Sequence, residues 1–415
     1  MSAYHPIKKK TSTHLHKGSL RERFELDSIG LEAEFVLLVD GRPVDPAKVF
    51  GSPGGFVRQP LMHRTGTSYH IPTGGAMYFD TGVIEVVTPV IEIDGGCAAR
   101  AGRSLWEGIH FLREELDAWE RRSGSDARLR GFSAHYNISF NAPPEARRGS
   151  RSVEKLARLL SYIMPPPVML LAANRESTGI GVRPRGDRVE VTADFTPSAA
   201  LTIATATLIT GITREVMTWP SFELDMLEKE DIPVIQGYAP IPHTSRQGWL
   251  ARYTCYPRNP FHAPVDDACW AVRGGEALSL REISARIERR FRSSIRKVSD
   301  PFTLRLIDAI VKDGAPVLLD LPERPAEYDD VGRLCSWSDL FPEKTLSRSR
   351  YERILIRAIR GVPLPIRGRS YKPVGMRGWS RVVFRRDDGS LHVFSVDGLR
   401  PHLKSWERAT PPDQR

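Results

Sequence analysis

Acidic side chains set two apart inside apolar, strand-like runs are the residues of this chain best placed to do chemistry. In Leu31-Glu32-Ala33-Glu34-Phe35, the alternation of an extended strand sends Glu32 and Glu34 to one face and their apolar neighbours to the other. Glu85 interrupts the apolar run from Val83 to Thr88, with Asp80 shortly before it. From Gly131 to Phe140, His135, Asn137 and Ser139 share one face, while Ala134, Tyr136, Ile138 and Phe140 share the other. In Arg188-Val189-Glu190-Val191-Thr192, Glu190 lies on the face of Arg188 and Thr192, and Asp194 follows. Carboxylates held together on neighbouring strands repel one another unless a counter-charge sits among them. A set of oxygen donors calls for Mg²⁺ or Mn²⁺, and a single imidazole leans the choice toward Mn²⁺ or a mixed site. The competing reading makes Glu32, Glu34 and Glu85 the solvent face of a half-exposed sheet, paired with arginines. Four such strands in order, each interrupted on one face only, count against it.

The segment from Ser177 to Arg188 opens with small residues and closes with Arg183, Arg185 and Arg188, just before the Glu190 strand. Small residues let the backbone approach a ligand, and guanidinium groups beside a carboxylate strand suit the γ-phosphate of a nucleotide. A basic hairpin would produce the same letters. Neither GxxxxGK[ST] nor GxGxxG occurs, which argues against a P-loop or a Rossmann nucleotide site.

These residues need strands to hold them and helices to back the strands. Strand patterns cover Gly30 to Val39, closed by the hairpin signal Asp40-Gly41, then Val83 to Thr88, Phe132 to Phe140 and Arg188 to Thr192. Helical spacing of apolar residues covers Ala98 to Arg122, Ser152 to Ala173 with a break at Pro165-Pro166-Pro167, Pro197 to Thr218, and the basic amphipathic stretch Leu278 to Val298. Pro43 to Gly75 and Ile232 to Pro264 are rich in turn-forming residues and predict long loops, either of which would serve as a lid. Short strands near the end, Ser380 to Phe384 and Leu391 to Phe394, are joined across Asp388-Gly389 and predict a small barrel-like module or an edge hairpin on the main sheet.

A chain of 415 residues, 40% of them hydrophobic, can bury a sizeable core. Its 60 Lys+Arg against 50 Asp+Glu leave a formal charge of +10, which favours anionic partners without choosing among them. Four cysteines lack any CxxC pair, so neither a disulfide scaffold nor a zinc ribbon is implied, and a reducing cytoplasm fits best. No stretch is long and apolar enough to span a bilayer. The expected organisation is a basic flexible arm over 1–25, a catalytic domain over 26–345 and a small basic β-rich module over 346–415.

Taken in order, these motifs resemble the glutamine synthetase and glutamate-cysteine ligase superfamily, including its bacterial amidoligase branch, over Gly30 to Ser198. The resemblance implies an α+β fold: a curved antiparallel sheet with helices on one face, here followed by a C-terminal extension with short strands. It implies Glu32, Glu34, Glu85, His135 and Glu190 as ligands of two divalent metal ions. Asn137, Ser139, Arg183 and Arg188 would bind ATP, and Arg183 and Arg185 would serve catalysis at the transferred phosphate. The implied activity is ATP-dependent joining of a carboxylate to an amine through an acyl phosphate, in a superfamily where rings and dimers are common. Asn137 stands where a second histidine is frequent, and Thr192 stands where better-known members carry a substrate-binding arginine, so the substrate stays open. Asp80 is the candidate for a further carboxylate. Three alternatives remain: a guanidino-kinase-like phosphotransferase, a degenerate nucleotide- or peptide-binding protein, and a nucleic-acid binder using the basic C-terminal third with Trp337, Tyr371, Trp379 and Trp406, in which no nucleic-acid motif is legible.

Overall fold

The strand that carries Glu32 and Glu34 is the axis of the fold. In the computed structural model, which describes residues 24–141, 148–243, 247–335 and 347–409, this strand, β1 (Ser28–Val39), pairs with neighbours on both sides. Nearly all of the arm expected over 1–25, and Trp337, lie outside the described residues. Asp40 and Gly41 both adopt positive φ, 49° and 75°, the turn geometry whose twist matches a hairpin, and return the chain as β2 (Arg42–Val44).

The stretch expected as a long loop up to Gly75 is built of short elements instead: α1 (Pro46–Phe50), β3 (Met62–Thr65) and β4 (Ser68–His70). The two strands join the main sheet beside β5 (Ala76–Asp80) and β6 (Val83–Val87), and they escape a sequence reading because runs of three or four residues carry too little alternation to stand out from surrounding turn residues. After β7 (Ile91–Glu92) come α2 (Cys97–Ser123), β8 (Ala127–Ser139), α3 (Val153–Ile163), α4 (Pro165–Ala172), β9 (Gly179–Arg185), β10 (Arg188–Asp194) and α5 (Ala199–Val216). Beyond the short α6 (Met226–Lys229), the second predicted loop supplies β11 (Ile241–Pro242) and β12 (Trp249–Arg252), and β12 pairs with β9. Neither predicted lid is therefore a free loop. The sheet is wholly antiparallel and runs β11-β12-β9-β10-β8-β1-β6-β5-β4-β3, with β2 and β7 also on β1.

One face of this sheet is apolar. Leu31, Ala33, Phe35, Ile84, Val86, Tyr136, Ile138, Val189 and Val191 are all buried beneath α2 to α5, each large aliphatic contributing about 1.5–3 kcal/mol. The proline triplet splits α3 from α4 as the sequence predicts, since proline sits well in the first turn of a helix, where its missing N–H would be unpaired anyway. Two hydroxyls of the buried, threonine-rich α5 are satisfied inside the helix: Thr205 and Thr210 donate to the carbonyls of Leu201 and Ala206 at 2.8 and 2.6 Å. Among the described residues no helix is long and apolar enough to cross a membrane.

After the small hairpin β13 (Trp270–Ala271) and β14 (Ala277–Leu278), α7 (Leu280–Val298) starts on a capping box of Ser279 and Glu282 and lies against α5. The two helices meet at Gly211, where a Cβ would come within 2.6 Å of the Ile295 Cα and 2.8 Å of its N. Because backbone would have to move, Gly211→Ala is expected to lower stability by about 1–3 kcal/mol, read as a shifted denaturant midpoint at unchanged slope.

Following α8 (Pro301–Val311), the C-terminal residues form their own unit, neither a barrel nor a hairpin on the main sheet. Helix α9 (Arg350–Ile359) leads into the four-stranded sheet β15 (Leu364–Ile366), β16 (Arg369–Arg377), β17 (Arg381–Arg385) and β18 (Leu391–Ser395), then α10 (Val396–Leu399) and α11 (Leu403–Ala409). Its core gathers Tyr351, Leu355, Tyr371, Phe384 and Trp406, which places Tyr371 and Trp406 away from any stacking surface. Buried acids fasten this unit to the main domain. Glu352 accepts from Arg103 at 2.8 Å and Ser104 at 2.9 Å, and Glu92 accepts from the Arg350 guanidinium and the Tyr351 backbone N–H, both at 3.2 Å.

Candidate active site

The face of the main sheet opposite the helices collects the polar residues, and strand register decides which of them meet. On β1, Glu34 lies between Glu85 of β6 and Ser133 of β8, Glu32 is opposite His135, and Gly30 is opposite Asn137. Across β8, His135 is opposite Thr192, Asn137 opposite Glu190, and Ser139 opposite Arg188 of β10. Glu190 in turn faces Arg183 of β9, and Arg188 faces Arg185. Since adjacent strands run about 4.8 Å apart, every residue singled out for metal, nucleotide or catalysis falls on one patch. A bulge at Phe132 shifts the β1–β8 register by one residue just past Glu34, and the pairing then continues to Val39 opposite Ala127.

Glu32 is the hub. It accepts from Asn137 Nδ2 at 3.1 Å and stands 3.0 Å from His135 Nδ1, while Arg188 Nε donates to Asn137 Oδ1 at 2.9 Å. Glu34 accepts from Ser133 Oγ and lies 3.7 Å from His135 Nε2. A second cluster sits beside it: Glu190 and Arg183 are both almost wholly buried and ion-paired, and Arg185 adds a fork of 3.1 and 3.0 Å to the same carboxylate. Arg183 and Arg185 are thus brought together by Glu190. The basic hairpin is what the structure shows: β9 and β10 are joined at Gly186-Asp187 and carry Arg183, Arg185 and Arg188. Ser139 Oγ contacts Ser28 Oγ at 2.5 Å.

Among the described residues, Glu32, Glu85 and His135 can each aim one donor atom into a space where all lie within 4.8 Å of one another, a grouping that fits a divalent cation. Glu190 falls outside that trio, in its arginine clamp. Charge supports the fit. Burial, and after it the Glu32 charge, push Glu85 up to about 9. Burial would also raise Glu32, but the hydrogen bond and charge of His135, with help from Glu85 and Arg188, hold it at about 2. Burial alone would lower His135, yet its bond to Glu32 and the charges of Glu32, Glu34 and Glu190 raise it. A proton on Glu85 therefore stands where a cation would, and binding must expel it, while the upward shift of His135 acts in the same direction. Mn²⁺ affinity is accordingly expected to climb with pH, by about a decade per unit per proton released, and to level off above about 9, where Glu85 is already ionised. Calorimetry in two buffers of different ionisation enthalpy measures the release, and binding without it would refute the assignment.

Sequence reasoning missed Tyr78, which lies opposite Glu85 and hydrogen-bonds to it, its own proton held far above the ordinary range by burial and by the Glu32 and Glu85 charges. The signal was present: Thr81 and Gly82 at φ 48° and 87° make a tight hairpin that sets Asp80 opposite Val83 and hence Tyr78 opposite Glu85. Asp80 occupies the hairpin end, one row beyond Tyr78. Also missed were Ser133, Arg64 and the role of Trp379. A cavity of about 580 Å³ opens beside the patch, lined on one side by Glu32, Asn137, Ser139 and Arg188 and on the other by Arg64 and by Trp379 of the C-terminal unit. The Arg64 guanidinium lies 4.9 Å over the Trp379 ring, and the His70 ring meets that indole edge-on at 4.8 Å.

No protein-family model and no curated protein matches the chain. Among solved structures, it aligns with the complex between the prokaryotic ubiquitin-like protein Pup and its ligase PafA, with a TM-score of 0.47 and 11% identity, over 94% of this chain and 94% of that one. It also aligns with the Pup ligase PafA in complex with ADP, with a TM-score of 0.41 and 12% identity, over 82% of this chain and 90% of that one.

Proposed function

We propose that this chain is an ATP-dependent carboxylate–amine ligase working through an acyl phosphate, with two Mg²⁺ or Mn²⁺ ions held on the polar face of the main sheet. The observation that carries this reading is the register of six strands. It gathers Glu32, Glu34, Glu85 and His135 beside an arginine-clamped Glu190, at the edge of a cavity large enough for a nucleotide. Glu32, Glu85 and His135 would hold one ion, with Glu34 beside it at 3.7 Å from His135 Nε2, and Glu190 would serve a second ion once a cation displaces Arg185 from its carboxylate. Such ions, when bound, neutralise charge on the β- and γ-phosphates.

The protein's own residues supply position. Asn137, Ser139 and Arg188 line the cavity where the nucleotide phosphates would rest. Arg185, with its side chain 32% exposed against 5% for Arg183, is the guanidinium able to leave Glu190 for an incoming phosphate oxygen while Arg183 stays fixed. A substrate carboxylate oxygen held in line attacks the γ-phosphorus and ADP departs. An amine nitrogen then attacks the acyl carbon, and phosphate leaves with the bond between carbon and oxygen broken. Thr192, facing His135 on one side and Gly181 on the other, offers no guanidinium for a substrate carboxylate. The carboxylate partner is therefore one held by groups other than the residue at this position.

Hydroxylamine distinguishes this from phosphoryl transfer to nitrogen. With ATP, Mn²⁺ and a panel of dicarboxylic amino acids and carboxyl-terminal peptides, an acyl phosphate is trapped as a hydroxamate, and its appearance in step with ADP is the expected result. ADP formation with a guanidino acceptor and no hydroxamate from any carboxylate would replace the ligase with a phosphotransferase. Nucleotide binding without ADP formation would leave a binding protein.

A further inference from the structure

The four-stranded C-terminal sheet buries one face and leaves the other open. Met376, Val382 and Phe384 turn inward, and on the outer face the register lays out three rows. Leu391, Arg385 and Lys372 form one row across β18, β17 and β16, Val393, Val383 and Gly375 form the next, and Ser395, Arg381 and Arg377 form the third. An aliphatic centre thus lies between two basic flanks. Leu391 is 62% exposed and Val393 41%, unusual exposure for aliphatic residues side by side on one strand. Among the described residues, Lys372, Arg377, Arg381 and Arg385 have no carboxylate within ion-pair distance. Strand β18 is also the edge of its sheet, and its sequence Leu-His-Val-Phe-Ser carries no lysine, proline or acid of the kind that blunts an edge.

We propose that this face binds an extended acidic segment of a partner protein, which adds as a further strand along β18 with the pattern Glu-x-Val-x-Glu. In that register the valine meets Val393, and the two glutamates fall in the rows of Arg385 and Arg381. Those arginines stand two strand spacings away, about 9.6 Å, within the combined reach of the two side chains. Main-chain hydrogen bonds to the open edge supply affinity and the three rows supply selectivity. A second copy of β18 fits poorly, since it brings two sets of arginines together on a chain of net charge +10. The segment 1–23 is excluded on the same ground, with three consecutive lysines, Lys17, Arg21 and Arg23 against Glu22 alone. Single-stranded nucleic acid is disfavoured because this outer face presents aliphatic side chains where base stacking needs aromatic ones. The inference goes beyond the ligase assignment and stands or falls separately from it.

The test uses the full chain and a fluorescein-labelled peptide, Thr-Glu-Thr-Val-Thr-Glu-Thr, with its lysine counterpart and a short single-stranded oligonucleotide as competitors. The acidic peptide is expected to bind about tenfold more tightly than the lysine one. Arg381→Gln with Arg385→Gln should remove that preference, and Val393→Lys should abolish binding at an unchanged melting temperature. No peptide binding, equal binding of the lysine peptide, tighter binding of the oligonucleotide, or a wild-type dimer dissolved by Val393→Lys would each overturn the proposal. Hydroxamate formation should be the same in wild type and Val393→Lys, so failure at this face is distinguishable from failure of the ligase site.

Discussion

Replacing Glu32 with alanine is expected to weaken metal-dependent ATP binding by about a hundredfold or more. Glu32 is the residue that His135, Asn137 and Glu85 all address, and its carboxyl is held at about 2, so it is ionised under any working condition. Its loss removes one donor of the trio and leaves His135 and Asn137 without the acceptor that orients them. Folding should suffer less than binding. The His135 Nδ1 and Asn137 Nδ2 atoms that lose their acceptor cost about 1–3 kcal/mol, but removal of the neighbouring charge also relieves Glu85, which burial and Glu32 together hold near 9. Glu32→Gln separates the two roles, because an amide oxygen still accepts the hydrogen bond from Asn137 while the charge is gone. If Glu32→Gln binds Mn²⁺–ATP like wild type at equal folded fraction, Glu32 is a structural acceptor and not a ligand.

Loss of Glu352 should be the most damaging single change to stability outside the core, at about 3–5 kcal/mol for Glu352→Ala. The side chain is fully buried, accepts from Arg103 and Ser104, and caps its own helix through the Ser349 backbone N–H. Removing it takes the 2.8 Å carboxylate partner from the buried Arg103 guanidinium, which keeps the longer 3.7 Å pair with Glu107. The consequence should reach the cavity, since the same docking places Trp379 against Arg64 and His70. Denaturation monitored by tryptophan fluorescence is expected to change from one transition to two, with the C-terminal unit melting first. A single transition displaced by less than about 1 kcal/mol would mean that the ion pair carries little of the docking, as exposed pairs do.

Much of this architecture could be read from alternation alone. Glu32 and Glu34 sharing a face, His135 and Asn137 sharing another, and the backing helices from Cys97 to Ser123 and Ala199 to Val216 follow from periods of two and 3.6. Alternation says which face a residue takes but not which residue of the next strand stands beside it. That His135 is opposite Glu32, and Glu190 opposite Asn137, depends on register set by distant turns and by the bulge at Phe132. The short strands of residues 62–70 and Trp249–Arg252 were hidden because they draw their pairing from the sheet edge rather than from their own sequence. Trp379 was hidden for a similar reason. It reaches the cavity because the C-terminal unit docks there through pairs such as Glu352 with Arg103 and Arg350 with Glu92, 249 and 258 residues apart in sequence.

The most direct test of the metal–nucleotide site is a calorimetric titration of ATP in the presence of Mn²⁺ into the wild type and into Glu34→Ala and Glu190→Ala, compared at equal folded stability. Saturable, metal-dependent binding to the wild type, lost in both variants, is the predicted result. No binding to the wild type, or equal binding to all three proteins, would make this row of carboxylates a structural feature of the sheet and contradict the ligase assignment.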